Sequence, residues 1–266
     1  MVTINHRMKR VKDNCLKIIG CFILICTGLE LSAQSQGIRE NTRADLDGIK
    51  TSSVTNEIYI DGNGQSNNQR LAYSQIQGSP FWNDIFYPAD LYVSGNKSIG
   101  RFLVRFNLAS QEFHYKGKDS IELVVSTEMV NRIVLYNTPD TINGTTVFVK
   151  NIPGLLLNDK LINDYVQQMN SGKYILYKHT KRAVVVADSL FGAAKRYYFG
   201  STNTYFIQTP KEVIQLKKIS EDNILSSLPP INEMEKWIKE NKIKMNREPD
   251  VLRFLTYYNQ HIEIKR

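Results

Sequence analysis

Between residues 57 and 216 the chain is a succession of short segments in which apolar and polar side chains alternate. That alternation limits the possible folds more than any other feature. In residues 101–108, Phe102, Val104, Phe106 and Leu108 alternate with Arg101, Leu103, Arg105 and Asn107. Successive side chains of a strand point to opposite faces, so a period of two marks an antiparallel strand with one buried face. Similar runs occupy residues 57–60, 112–115, 120–125, 132–136, 146–150, 173–178, 182–187, 196–199, 204–207 and 213–216. Turn-forming stretches separate them, among them Ser94-Gly95-Asn96-Lys97 and Lys116-Gly117-Lys118-Asp119. One segment departs from the series. Leu161, Ile162, Tyr165, Val166 and Met169 fall at helical spacing, which predicts a short internal helix over residues 159–169.

The pattern changes after residue 220. Leu225, Leu228, Ile231, Met234, Trp237 and Ile238 recur at three- and four-residue steps, interrupted by Pro229-Pro230, which starts a new helix. Asn232 is placed to cap it, with Glu233 and Glu235 at the positive end of its dipole. A last helix is expected from about residue 247 to 260, with Asn246 as its cap and Val251, Leu252, Leu255 and Tyr258 as its buried stripe. The expected fold is therefore mainly β (α+β): an antiparallel β-rich domain, sandwich or roll, over residues 57–220. One short internal helix interrupts it, and a C-terminal helical segment, residues 221–266, packs on it.

The N-terminus reads as an export signal. Arg7, Lys9, Arg10, Lys12 and Lys17 precede an apolar run from Ile18 to Leu29, and Leu31-Ser32-Ala33 offers a cleavage site between Ala33 and Gln34. The run is shorter than the roughly 20 residues that span a bilayer, so no transmembrane span is expected in the mature chain. Cys15, Cys21 and Cys26 all lie in this segment, which leaves the mature chain without a disulfide and dependent on its packed core. Cys21 also precedes most of the apolar run, unlike a lipid-modified cysteine. Residues 1–33 carry five Lys/Arg and two Asp/Glu, so cleavage lowers the net charge from +8 to +5, a mild value that points to no nucleic-acid partner. Residues 34–56 are polar and aperiodic and read as a flexible leader.

Motifs for known chemistry are sparse. The mature chain holds only His114, His179 and His261, with no HExxH spacing, no Gly-x-Ser-x-Gly elbow, no P-loop and no cysteine nucleophile. No metal ligands and no cofactor are expected. Asp61, Asn63 and Gln65 are spaced like a calcium loop, but Ser66 replaces the turn glycine and Ala72 the bidentate Glu. The densest basic stretch, with Lys178, Lys181 and Arg182 among tyrosines, is a candidate binding surface, as are Phe81 and Trp82. Ser120, Thr141 and Ser189 each follow Asp and precede an aliphatic residue, a pattern that resembles the O-glycosylation acceptor of exported Bacteroidota proteins.

Gly78-Ser79-Pro80-Phe81-Trp82-Asn83-Asp84, then Gly100 through Val104-Arg105-Phe106-Asn107 and Glu112-Phe113, with the stretch from Trp237-Ile238-Lys239-Glu240-Asn241-Lys242 to Leu255-Thr256-Tyr257-Tyr258-Asn259, resemble a motif series in uncharacterised exported proteins of Bacteroidota. Phe106 stands where that family more often has Tyr, and residues 150–200 have no counterpart in the series. The resemblance implies export and a β-rich fold, and it carries no activity. The expectation is thus an exported, non-enzymatic binding or structural module of the cell envelope, in the periplasm or at the outer membrane. Its partner would be another envelope protein or an acidic glycan. The rival reading is a secreted hydrolase using carboxylates from distant strands.

Overall fold

The alternating segments become strands of one sheet. The structure, a computed structural model, describes residues 51–60, 69–117, 120–139, 144–188 and 195–262. Fifteen strands are present among the described residues: β1 (Thr51–Ser53), β2 (Glu57–Ile60), β3 (Gln69–Ala72), β4 (Tyr87–Val93), β5 (Lys97–Asn107), β6 (Glu112–Lys116), β7 (Glu122–Val125), β8 (Val130–Tyr136), β9 (Thr145–Val149), β10 (Leu156–Leu157), β11 (Lys160–Leu161), β12 (Val166–Gln168), β13 (Ile175–Asp188), β14 (Lys195–Gln208) and β15 (Val213–Leu216). Eleven form an open antiparallel sheet in the order β1-β7-β6-β5-β4-β8-β9-β12-β13-β14-β15, and β2–β3 and β10–β11 are separate hairpins. Three helices follow: α1 (Glu221–Ser226), α2 (Met234–Glu240) and α3 (Glu248–Ile262).

Of the two expected architectures, the sheet follows the roll. The amide of Arg182, midway along β13, donates to the carbonyl of Leu108 at the end of β5 (3.1 Å), although the two strands lie five places apart in the sheet. Inside the curl Phe106 stacks on Phe113 with ring centroids 4.3 Å apart. Phe148 lies 4.9 Å from Phe106, and Tyr165 lies 4.9 Å from Phe113. All four are buried, and side chains of this size contribute about 1.5–3 kcal/mol each on burial. A second core forms where Leu176, Ile207 and Leu216 of the last three strands meet Ile224, Ile238, Phe254 and Tyr258 of the helices.

Four expectations are corrected. Residues 159–169 form no helix: Asn158 and Asp159 take left-handed φ of 51° and 61°, the conformation of a two-residue hairpin turn, between β10 and β11. Val166 is then drawn between β9 and β13, and Leu161 is left 68% exposed, so its helical spacing was coincidental. Residues 51–53, read as part of the leader, pair with β7 as the edge strand β1. The N-cap position of α2 is held by Glu233, with φ 62°, one residue after the expected Asn232, and the Glu233 side chain makes no capping hydrogen bond. In α3, Phe254 joins Val251, Leu255 and Tyr258 in the buried stripe, while Leu252 is only half-buried.

Candidate functional site

The Ser79–Asp84 segment is a packed strap. Ser79 Oγ donates to Asp84 and accepts from the Phe81 amide (3.1 Å), and Asn83 Oδ1 accepts from the Ile85 amide (3.2 Å), so short polar side chains fix the turn locally. The strap pairs with the end of β5 through Trp82 N to Phe106 O and Leu108 N to Pro80 O, both 2.8 Å. Phe81 is buried edge-on to His114, and half-buried Trp82 packs on Tyr87 and Phe148. Arg182 reaches across to the carbonyls of Ser79 and Phe81, the latter at 2.6 Å. Burial lowers the pKa of that guanidinium. Its hydrogen bonds make it a clamp between β13 and the strap.

Alternation on β5 and its neighbours brings Arg105, His114 and Glu122 to one face. Arg105 donates to Glu122 from Nε (2.9 Å) and Nη2 (2.6 and 2.7 Å), and lies 3.6 Å above the Phe81 ring. His114 Nδ1 lies 2.7 Å from the same carboxylate. Burial holds His114 below the ordinary imidazole range. Burial also opposes the Glu122 charge, but the hydrogen bonds from Arg105 and His114 outweigh it and keep the carboxyl below its ordinary range. A second pair stands nearer the helices: buried His179 donates from Nε2 to Asp164 (3.0 Å), with Lys181 Nζ 3.9 Å from the same oxygen. That hydrogen bond is the main reason the Asp164 pKa is lowered. His261, on the surface of α3, bonds only within its own helix, to the Tyr257 carbonyl.

Lys178, on the opposite face of β13, donates to Glu248 at the start of α3 (2.7 Å), which also accepts from Tyr205. Of the predicted basic residues, Lys181 is therefore the exposed one, while Lys178 and Arg182 hold elements together. Ser120 is exposed, at φ 59°. Thr141, Ser189, Ala33 and Gln34 lie outside the described residues.

What sequence reasoning missed is how far β13 and β14 run. Two short predicted segments on each side fuse into 14-residue strands paired along their whole length, from Ile175–Gln208 to Asp188–Lys195. β12 reaches only Tyr177 and Lys178, and β15 only Tyr205 to Gln208, so the outer half of the hairpin extends past its neighbours. Along the outer edge of β13, Leu176 O accepts from Met169, Thr180 O from Gln111, and the Arg182 amide is bonded to Leu108. The same alternation turns the amides and carbonyls of Val184 and Val186 outward, where no partner exists among the described residues. Val185, Val186 and Tyr198 are exposed beside them.

Two shallow clefts open on the surface. One, of about 360 Å³, is lined by residues 203–205, 215–219 and Asn246, and the other, of about 290 Å³, by Ser52, Glu112 and residues 124–128. Neither is lined by a histidine. Among the described residues no three His, Cys, Asp or Glu side chains converge as a metal site, and no helix is long and apolar enough to cross a membrane. Compared with family models, curated proteins and solved structures, the chain matches none.

Proposed function

We propose that the chain is an exported, non-enzymatic binding module of the cell envelope, which docks onto another envelope protein through the outer edge of β13. The observation that carries this reading is the pair of backbone positions at Val184 and Val186 with no partner among the described residues, on the Ala183-Val184-Val185-Val186-Ala187 strand, where Val185 and Val186 are exposed. An apolar, open edge is a template for a strand from another chain, and folded proteins otherwise cover or charge such edges. The partner segment is extended and β-branched, so that its amides and carbonyls meet those of Val184 and Val186.

Glu122 and Asp164 are both held in their charged forms, so neither is the general acid that a hydrolase would need at neutral pH. The N-terminal export pattern and the resemblance to exported proteins support the location in the periplasm or at the outer membrane.

The test is affinity capture with cross-linking of the mature protein from native envelopes, beside the Val184→Pro variant. The Val184 amide points away from β14, so proline there removes the outward donor and leaves the hairpin ladder intact. The expected result is one partner protein, linked through an extended segment and lost in the variant. Turnover of a glycan or peptide substrate with no such partner overturns the reading in favour of a hydrolase.

A further inference from the structure

The sheet ends at β15, and that strand is too short to cover β14. Its pairing stops at Tyr205–Leu216, and the next contact on this edge of β14 is Gln77, which bonds Tyr197 and Phe199. By the same alternation the amides and carbonyls of Ser201 and Asn203 point outward in the gap, with no backbone partner among the described residues. The cleft of about 360 Å³ lies at this notch, and its size falls in the range of small-ligand sites, about 300–1,000 Å³.

Its lining has a definite chemistry. Asn203 Oδ1 accepts from Thr180 (2.8 Å) and Gln215 Oε1 from the Asn158 amide (3.2 Å), which leaves the NH2 group of each side chain as a donor. The Asn203 carbonyl, Thr204 and Asn246 add acceptors. Lys217 and Lys218 are exposed, have no carboxylate partner among the described residues, and share the cleft with no Asp or Glu.

From this notch we infer that the cleft between β14, β15 and residue 246 is a binding site for an acidic oligosaccharide, one that carries uronate or sulfate groups. Hydroxyl groups both donate and accept, which matches a lining of amides, a hydroxyl and backbone groups. The two ammonium groups take the acid. The site lies on the opposite edge of the hairpin from Val184, so it stands or falls independently of the protein docking proposed above.

The test is an array of uronate-bearing, sulfated and neutral oligosaccharides probed with the mature protein, followed by calorimetry on the members retained. The expected result is saturable binding of an acidic member, with its neutral counterpart about tenfold weaker or more. Joint Lys217→Ala and Lys218→Ala substitution lowers affinity by about tenfold or more, whereas Lys236→Ala on exposed α2 and Val184→Pro leave it unchanged. Each variant is checked for an unaltered unfolding transition. Retention of no acidic member, equal binding by the double lysine variant, or complete displacement by inorganic phosphate or an acidic peptide overturns the inference.

Discussion

Arg105, Glu122 and His114 show how one residue decides the character of a site. Glu122 accepts from both neighbours and is itself only partly exposed, so Glu122→Gln leaves a guanidinium without its counter-charge against the Phe81 ring. The substitution is expected to cost about 2–3 kcal/mol, read by urea unfolding. Acid acts on the same group. His114 has a folded pKa below its ordinary 6.5, so just below that pH the unfolded chain binds the proton that the folded chain refuses. Stability therefore falls as pH drops through and below about 6.5, and the Glu122 contribution is lost only below its ordinary 4.5. His114→Gln is expected to flatten the slope of unfolding free energy between pH 7 and 5.5; an unchanged slope would assign that titration to another group. None of this cluster was legible as a site in the sequence. Arg105 occupied the polar phase of an ordinary alternating strand, and Glu122 lies 17 residues away.

At the level of elements, the C-terminal helices were readable because their periodicity and prolines are local. Their attachment was not, since it depends on contacts between residues far apart in the chain. Asn259 of α3 accepts from the Tyr174 amide (2.9 Å) and donates to the Tyr174 carbonyl (2.9 Å), which pins the approach to β13. Gly172 makes room: it has φ 125°, and a Cβ there would lie 2.5 Å from Asn259 Cγ. Asn259→Ala leaves the Tyr174 amide without its acceptor and is expected to lower stability by about 1–3 kcal/mol, checked by thermal and urea unfolding. Gly200 has a comparable part in the hairpin, where Val185 fills the space of a missing Cβ. The β13–β14 hairpin itself was legible only in pieces. The small and charged residues between the predicted runs, from His179 to Lys181 and from Gly200 to Asn203, broke the apolar pattern but not the ladder. Residues 159–169 failed the other way, because a helical spacing of apolar residues cannot reveal that Asn158 and Asp159 will turn the chain back.

For the whole molecule, the alternation of short strands was enough to indicate a mainly β chain with a helical end. It could not indicate which strands would be left unflanked, because that depends on where β12 and β15 stop. That outcome leaves the outer edge of β13 open among the described residues, where the proposed partner docks. Residue-resolved amide hydrogen exchange of the protein tests this open edge. Ala183 and Val185 face β14 and are bonded in the hairpin ladder, whereas Val184 and Val186 face outward. The Val184 and Val186 amides are expected to exchange at least about tenfold faster than those of Ala183 and Val185 in the free protein. Equal, strong protection of all four amides would mean that the chain covers this edge itself, and would contradict docking through β13.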